Sequence, residues 1–149
     1  MNLTTIATNL ALRFSSASIT PPSGYPNVTF STHLLPNAIT TTPCVLVKPP
    51  LAQLEYGPGG RRTGQLEFPV EFYVAPSAEL KDNAQAMYDW YGVLLEQLTG
   101  DYDIGGPSEV VDATITGSRA GTIVYDETNY VGIVFTVRVR LSGAYNAIT

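Results

Sequence analysis

Residues 65–74 alternate between apolar and polar side chains, and this alternation constrains the fold more than any other feature of the chain. A period of two residues is typical of a β-strand that buries one face and leaves the other nearer to solvent. Because Pro69 has no amide hydrogen to donate, we expect it at a sheet edge, at a bulge or where the strand changes partner. The two sides are Leu66, Phe68, Val70, Phe72 and Val74, and Gln65, Glu67, Glu71 and Tyr73.

A helical period of 3.6 residues follows and predicts an amphipathic α-helix over residues 82–98. Asp82 and Gln85 have the spacing of a capping box, in which two side chains satisfy free amides of the first turn. The aromatic residues of this segment could form a ligand shelf, but we expect Tyr88 and Tyr91 to pack in the core. The predicted apolar stripe is Ala84, Met87, Tyr88, Tyr91, Leu94, Leu95 and Leu98.

Other periodic segments complete the expected secondary structure. Residues 3–14 predict a first helix of about three turns, with Thr4 or Thr5 as its cap. Residues 130–141 predict a long strand that either lies at the centre of the sheet or overhangs toward another subunit. Further strands are predicted at 27–31, 43–47, 51–56, 110–118 and 121–125, the last two joined by a turn at Arg119 and Ala120.

These elements predict an α+β fold, a mixed, mostly antiparallel sheet of four to five strands with two helices packed on one face. A length of 149 residues suits one domain, and a hydrophobic content of 44% is enough for its core. Residues 15–42 are rich in Ser, Thr, Pro and Asn and predict an irregular arm, either a contact surface for a neighbour or a disordered segment. A short C-terminal tail at 143–149 follows the last strand.

The charge of the chain argues against a nucleic-acid-binding protein. Its formal net charge is −5, whereas binding to nucleic acid depends chiefly on Lys and Arg at phosphates. Cys44 is the only cysteine, so we expect neither an intramolecular disulfide nor a metal site built on cysteine pairs, and Cys44 itself should pack as a small apolar side chain. With no basic leader at the N-terminus and no stretch long enough for a membrane span, we expect a soluble protein made in a reducing compartment.

Some segments suggest chemistry, but each pattern is incomplete. His33 is the only histidine, and no sequence neighbour marks it as a general base. Residues 57–64 are rich in glycine, but they lack the Lys-Ser/Thr pair of a P-loop and precede a strand, so they predict a mobile hairpin tip. Residues 101–112 resemble a calcium loop without its usual fifth and twelfth ligands, so they predict an acidic linker. We therefore expect no catalytic, cofactor-binding or metal-binding residues and no enzymatic activity.

The order of the elements and three local segments carry a resemblance to a known family. They resemble the tail terminator proteins of long-tailed bacteriophages, especially those of actinobacterial hosts, and the likeness covers residues 3–141. The segments are Pro-Cys-Val-Leu-Val-Lys-Pro-Pro (43–50), Phe-Pro-Val-Glu-Phe-Tyr-Val (68–74) and Tyr-Val-Gly-Ile-Val-Phe-Thr-Val-Arg-Val (130–139).

The resemblance implies a structural virion protein without an active site or cofactor. Such a protein forms a homo-oligomeric ring, expected to contain six subunits, that terminates the tail tube and joins it to the head or neck. Its partners would be the tail-tube protein and the head-tail connector, with DNA only passing through the channel. It would be assembled in the host cytoplasm and remain in the virion, where an acidic chain suits a channel that must not retain DNA.

Interface residues are predicted from exposure, at the hairpin tip and on the polar side of the sheet, where arginines can meet glutamates across the strands. A head-tail connector or a tail-tube subunit is an alternative in the same class, and open-ended assembly would favour the tube. A small-ligand or glycan-binding module is an alternative of another class, suggested by nine tyrosines and Trp90. An enzyme would require a deep pocket lined by His33 and acidic residues. The predicted interface residues are Arg61, Arg62, Glu67, Glu71, Arg138 and Arg140.

Overall fold

The structure is a computed structural model, and it describes residues 2–56, 62–76, 80–99 and 110–141. Within these residues, two α-helices and six strands follow one another, and the strands form a single sheet. The α+β class expected from the sequence is confirmed. The elements are α1 (Leu3–Arg13), β1 (Phe30–Thr32), β2 (Cys44–Val47), β3 (Leu51–Tyr56), β4 (Arg62–Pro76), α2 (Ala84–Leu98), β5 (Val110–Tyr125) and β6 (Thr128–Leu141).

The strand order in the sheet is β1-β2-β4-β6-β5, and β3 pairs with β4 beyond the end of β2. The β1–β2 pair is parallel and the other pairs are antiparallel. The sheet exceeds the expected four to five strands because β2 and β3 lie end to end along the same edge of β4. Both helices pack on one face of this sheet, as expected, and bury one continuous apolar core against it.

Strand β4 changes its partner at Pro69. Residues 62–67 of β4 pair with β3, residues 70–73 pair with β2, and the opposite edge of β4 pairs with β6 from Gly64 to Pro76. The carbonyl oxygen of Pro69 accepts a hydrogen bond from the amide of Lys48, at 2.9 Å, just where the chain leaves β2. The missing amide hydrogen of proline therefore falls at the junction between two partners, which is one of the three places expected from the sequence.

The long strand β6 lies at the centre of the sheet, between β4 and β5. Its alternation places Val131, Ile133, Phe135, Val137, Val139 and Leu141 against the helices, and all six are buried. Strand β6 is therefore a central member of the sheet, which was one of the two placements predicted for it.

The prediction of two short strands joined by a turn at Arg119 and Ala120 is wrong. Strand β5 is continuous over 16 residues, and Arg119 pairs with Val134 in the middle of the ladder with β6. The turn lies instead at Asp126 and Glu127, whose φ angles are +49° and +65°. Because β6 offers backbone partners along the whole ladder, β5 stays extended, and register shifts beside Ile115 and Val110 absorb its irregularities.

Both helix caps differ from the predicted ones. Helix α1 is capped by Asn2, whose side-chain oxygen accepts from the amide of Thr5 at 3.2 Å, so the predicted Thr caps are wrong. Helix α2 begins at Ala84 because a single 3-10 turn, Leu80–Asn83, precedes it.

The capping box predicted from Asp82 and Gln85 is also wrong. Asp82 lies inside the 3-10 turn, and the cap position is held by Asn83, which makes no side-chain cap bond. The side-chain amide of Gln85 donates instead to Asp89, one turn later along the helix, at 2.9 Å.

The aromatic residues of α2 are arranged differently from the prediction. Trp90 is the buried one, at 1% exposure and with its ring centroid 4.9 Å from that of Phe72, whereas Tyr88 is 77% exposed. Tyr91 is half-buried and its hydroxyl bonds that of Ser118 on β5. The buried stripe of α2 follows Met87, Trp90, Leu94 and Leu98, which is rotated from the predicted stripe through Tyr88 and Leu95.

The arm, residues 15–42, is irregular apart from β1, and it packs on both faces of the sheet. On the helix side, Ile19 and Val28 are buried in the main core. On the opposite side, Ile39 packs on a second apolar cluster, and the hydroxyl of Tyr125 donates to the carbonyl of Pro36. The buried members of that cluster are Cys44, Leu46, Tyr73, Ile123 and Tyr130.

Candidate interaction surface

The sheet face opposite the two helices, here called the outer face, carries four of the six predicted interface residues. Glu67 and Glu71 on β4 and Arg138 and Arg140 on β6 alternate with core residues, which places them all on this face. Arg61 lies outside the described residues, and so does the side chain of Arg62, although Arg62 begins β4. The structure thus brings the four sheet residues onto one surface.

Glu71 does not meet an arginine. It lies opposite Val134 on β6, and its carboxylate instead forms an ion pair with Lys48 at 2.9 Å. The hydroxyl of Tyr73 donates to the same carboxylate oxygen at 2.5 Å. Glu71 therefore couples the charged part of the outer face to the second apolar cluster, to which Tyr73 belongs.

Glu67 on β4 and Arg138 on β6 are direct register partners. From the sequence, a glutamate and an arginine of these strands were expected to meet in this way. The Nε atom of Arg138 is buried and donates to no atom of the residues that the structure describes. On the other side of β6, Arg138 lies opposite Thr114. Arg138 therefore lies between Glu67 and Thr114 on the outer face, and its Nε is closed to solvent.

Arg140 pairs with an acidic residue that the sequence did not indicate. Its Nε donates to one carboxylate oxygen of Asp112 at 2.8 Å, and a terminal nitrogen contacts the other oxygen. This hydrogen bonding lowers the pKa of Asp112 below its ordinary value. A register shift between Val110 and Asp112 brings the carboxylate opposite Arg140, so alternation along β5 alone could not have revealed the pair.

Strand β5 forms one edge of the sheet and pairs with β6 alone among the described strands. Its free edge runs for 16 residues and contains neither lysine nor proline, the residues that commonly protect an edge strand. Val111 and Val124 on this strand are 54% and 60% exposed. An edge of this length presents a row of backbone donors and acceptors to a further strand.

The opposite side of the sheet has an open edge of its own on β3. This strand pairs with β4 alone among the described strands, and Leu51 and Leu54 on it are 62% and 42% exposed. The sheet therefore ends in the long β5 on one side, and in the shorter β1 and β3 on the other.

A groove of about 250 Å³ runs between α2 and β5, next to the free edge of β5. It is lined chiefly by Leu95, Leu98, Ile115 and the backbone around Gly117. A second cleft of about 350 Å³ lies at one end of the sheet, between β3 and Arg140. His33 lines a smaller depression of about 160 Å³ beside Lys48, Pro49 and the start of α1.

A metal-ligand cluster and a membrane-spanning helix are both absent from the described residues. They contain no group of three or more His, Cys, Asp or Glu side chains placed to hold a metal ion. None of the helices in the part of the chain that the structure describes is long and apolar enough to cross a bilayer. A hairpin tip was predicted at 57–64 and an acidic linker at 101–112. Residues 57–61 and 101–109 lie outside the described residues, whereas residues 62–64 belong to β4 and residues 110–112 to β5.

Comparison of the sequence with protein-family models and with curated proteins finds no match.

Proposed function

We propose that this protein is a structural subunit of a phage tail, which assembles into a closed ring of about six copies that terminates the tail tube and joins it to the head or neck. The observation that carries the proposal is the pair of unlike open edges on one sheet, β5 and β3. A chain with such edges can bind a second copy of itself by continuing the sheet.

The contact between unlike edges is heterologous, since one surface of each subunit meets a different surface of the next. Heterologous contacts either close into a ring or continue as a filament. A protein that ends a tube must form the closed arrangement, so the proposed function and the edge geometry agree.

The charge of the subunit also suits a ring around DNA. The net charge of −5 disfavours attachment to phosphates, and DNA could therefore pass through the channel without being held. The proposed partners are the tail-tube protein and the head-tail connector, and the proposed location is the neck of the virion.

The experiment that tests this function measures the mass of the purified protein by light scattering over a range of concentrations, with negative-stain imaging of the products. We expect a closed ring, or a monomer that becomes a ring when tail tubes are added. If open filaments form, the protein would instead be assigned as a tail-tube subunit. A monomer that ignores tail tubes and connectors would contradict both.

Reversal of both arginines at the hairpin tip, R61E with R62E, should weaken assembly. The buried core of the described residues contains neither arginine, so circular dichroism of the isolated variant should match that of the wild type. Unchanged assembly of this double variant would show that Arg61 and Arg62 do not contribute to the interface.

For the alternative of a small-ligand or glycan-binding module, Trp90 and the exposed Tyr88 differ in what they offer, since Tyr88 is 77% exposed. Trp90 is 1% exposed and packs on Phe72, so it offers no face to a sugar ring.

A further inference from the structure

We infer that neighbouring copies join by adding β3 of one subunit to the free edge of β5 in the next, with Leu54 filling the groove between α2 and β5. The inference rests on the proposed ring and names the surfaces that form it. Its occupant is a second copy of this chain.

Strand directions determine how the two edges meet. Strands β5 and β4 are both antiparallel to β6 and so run the same way, whereas β3 runs against β4. In the proposed ring, neighbouring copies are related by rotation about an axis that runs along the strands. Such a rotation leaves the direction of every strand unchanged. The β3 strand of one copy therefore meets β5 of the next in antiparallel orientation.

The apolar fit comes from Leu54. It pairs with Gly64, next to the pair of Ala52 with the buried Leu66, and it therefore lies on the helix side of the sheet. One side of Leu54 rests over Gly64, and 42% of the residue remains exposed. In a continued sheet this exposed part lies on the same side as α2, where the groove begins.

The groove presents matching apolar surface. Leu95 is 41% exposed at its rim, and Leu98 and Ile115 form its walls. An added strand gains main-chain hydrogen bonds from the edge, and a pocket for one of its side chains provides the specificity. Burial of Leu54 and Leu95 against each other removes two exposed leucines from water.

Charge complementarity supports the same pairing. Glu55 on β3 pairs with Thr63 and lies on the outer face, while Arg119 on β5 pairs with Val134 and lies on that face too. Both are exposed. When the sheet continues from one copy to the next, the two opposite charges lie on the same side.

One register satisfies both features. With Leu54 opposite Ser118, a residue of the groove, Glu55 lies opposite Gly117 and diagonally next to Arg119. Diagonal neighbours on antiparallel strands lie about 7–8 Å apart, within reach of long side chains. A Cβ built on Gly117 has no heavy atom within 4 Å, so there is room for the glutamate at that position.

A charge-swap experiment tests the inference by analytical ultracentrifugation. Each reversal alone, E55R or R119E, places like charges side by side and should raise the concentration for half-assembly about tenfold, while the double variant E55R/R119E should restore assembly toward the wild-type value. Wild-type assembly by both single variants, or no recovery in the double variant, would overturn the edge pairing. Circular dichroism confirms that each variant is folded.

A cysteine cross-link gives an independent measurement on the full chain. L54C combined with S118C should form an intermolecular disulfide ladder on a non-reducing gel under mild oxidation. The matched control is L51C with S118C, because Leu51 lies on the opposite side of β3. Cys44 is buried and should not contribute a thiol. Equal ladders from the two pairs would contradict the register.

The outcomes separate the inference from the proposed function. A wild-type ring whose assembly is indifferent to these variants overturns the edge pairing and leaves the ring proposal standing. A wild-type protein that stays monomeric even with tail tubes overturns both.

Discussion

The hydroxyl of Tyr25 donates a hydrogen bond to the carboxylate of Asp89 at 2.7 Å, and this bond ties the irregular arm to α2. The ring of Tyr25 also meets the edge of Trp90, at a centroid distance of 6.3 Å. Two hydrogen bonds between the backbone of Thr20 and the side-chain amide of Gln97 also fasten the arm to the helix, on the face where the main core lies.

The first prediction concerns the ionisation of Tyr25. Its hydrogen bond to Asp89 raises the pKa of the phenol above the ordinary value of 10.0, since the charged phenolate could not donate to the carboxylate. Asp89→Asn should move the pKa of Tyr25 back toward 10.0, as followed by NMR titration of tyrosine labelled at Cζ. Tyr25→Phe assigns the signal, and an unchanged titration in the Asn variant would show that the bond is absent in solution.

The second prediction compares Trp90 with Tyr88, because the helical period alone did not show which of the two is buried. Trp90→Ala removes a buried ring and should lower the free energy of unfolding by about 3–5 kcal/mol. Tyr88→Ala removes an exposed ring and should change it by less than about 0.5 kcal/mol. Urea denaturation followed by circular dichroism measures both, and similar losses in the two variants would contradict the burial of Trp90 alone.

The sequence predicted best those elements whose side chains alternate against a single core. The buried positions of β4 and β6 under the helices follow from period two, whereas the burial of Tyr73 and Tyr130 on the opposite face does not. For α2, the three- and four-residue steps fit a stripe through Tyr88 as well as one through Trp90. The two stripes differ by a small rotation of the helix about its axis. Contact of Trp90 with Phe72 and Tyr25 selects the observed one.

Long-range partners were beyond prediction from one sequence. A turn was predicted at Arg119 and Ala120, yet β6 holds β5 extended there through paired backbone bonds. The partners of Glu71 and Arg140 come from the end of β2 and from a register shift in β5, neither of which leaves a pattern along the chain. The outer-face placement of the predicted charges was accessible from alternation, whereas their role in assembly stays a prediction.

A third prediction uses two glycines as a matched pair. A Cβ on Gly132 would collide with the carbonyl oxygen of Phe72 and with the side chain of Ile123, so Gly132→Ala should destabilise the protein by about 1–3 kcal/mol or more. A Cβ on Gly92 in α2 meets no atom within 4 Å. Because alanine favours a helix over glycine, Gly92→Ala should stabilise the protein by about 0.5–1 kcal/mol.

Thermal unfolding of both glycine variants checks the pair. Opposite shifts of the midpoint are the expected result. A neutral Gly132→Ala would mean that β4 and β6 can separate at this point without loss.

The fourth prediction concerns alkaline pH. Burial raises the pKa of the Cys44 thiol from 9.0 to about 12, because the thiolate would be poorly solvated in the second apolar cluster. The folded state then holds its proton where the unfolded state has lost it, so stability should fall as the pH rises from about 9 toward about 12. Burial raises the pKa of Tyr73 in the same cluster, which adds to the fall at higher pH.

Two measurements check the Cys44 prediction. The native protein at pH 8 should react with Ellman's reagent far more slowly than the denatured protein. The fall in stability between pH 9 and 12 should be shallower in Cys44→Ala than in the wild type. Rapid labelling of the native thiol would contradict its burial.

The junction at Pro69 divides β4 into two segments with different roles. Residues 70–73 are fixed by β2 and the core, whereas residues 62–67 form one arm of a hairpin with β3. Two residues inserted into each strand of this hairpin would lengthen it by about 3.4 Å per residue along the strand. Because the insertion is even, every inward-facing side chain would stay inward. The reach of the subunit along the strand direction can therefore evolve separately from the stability of its core.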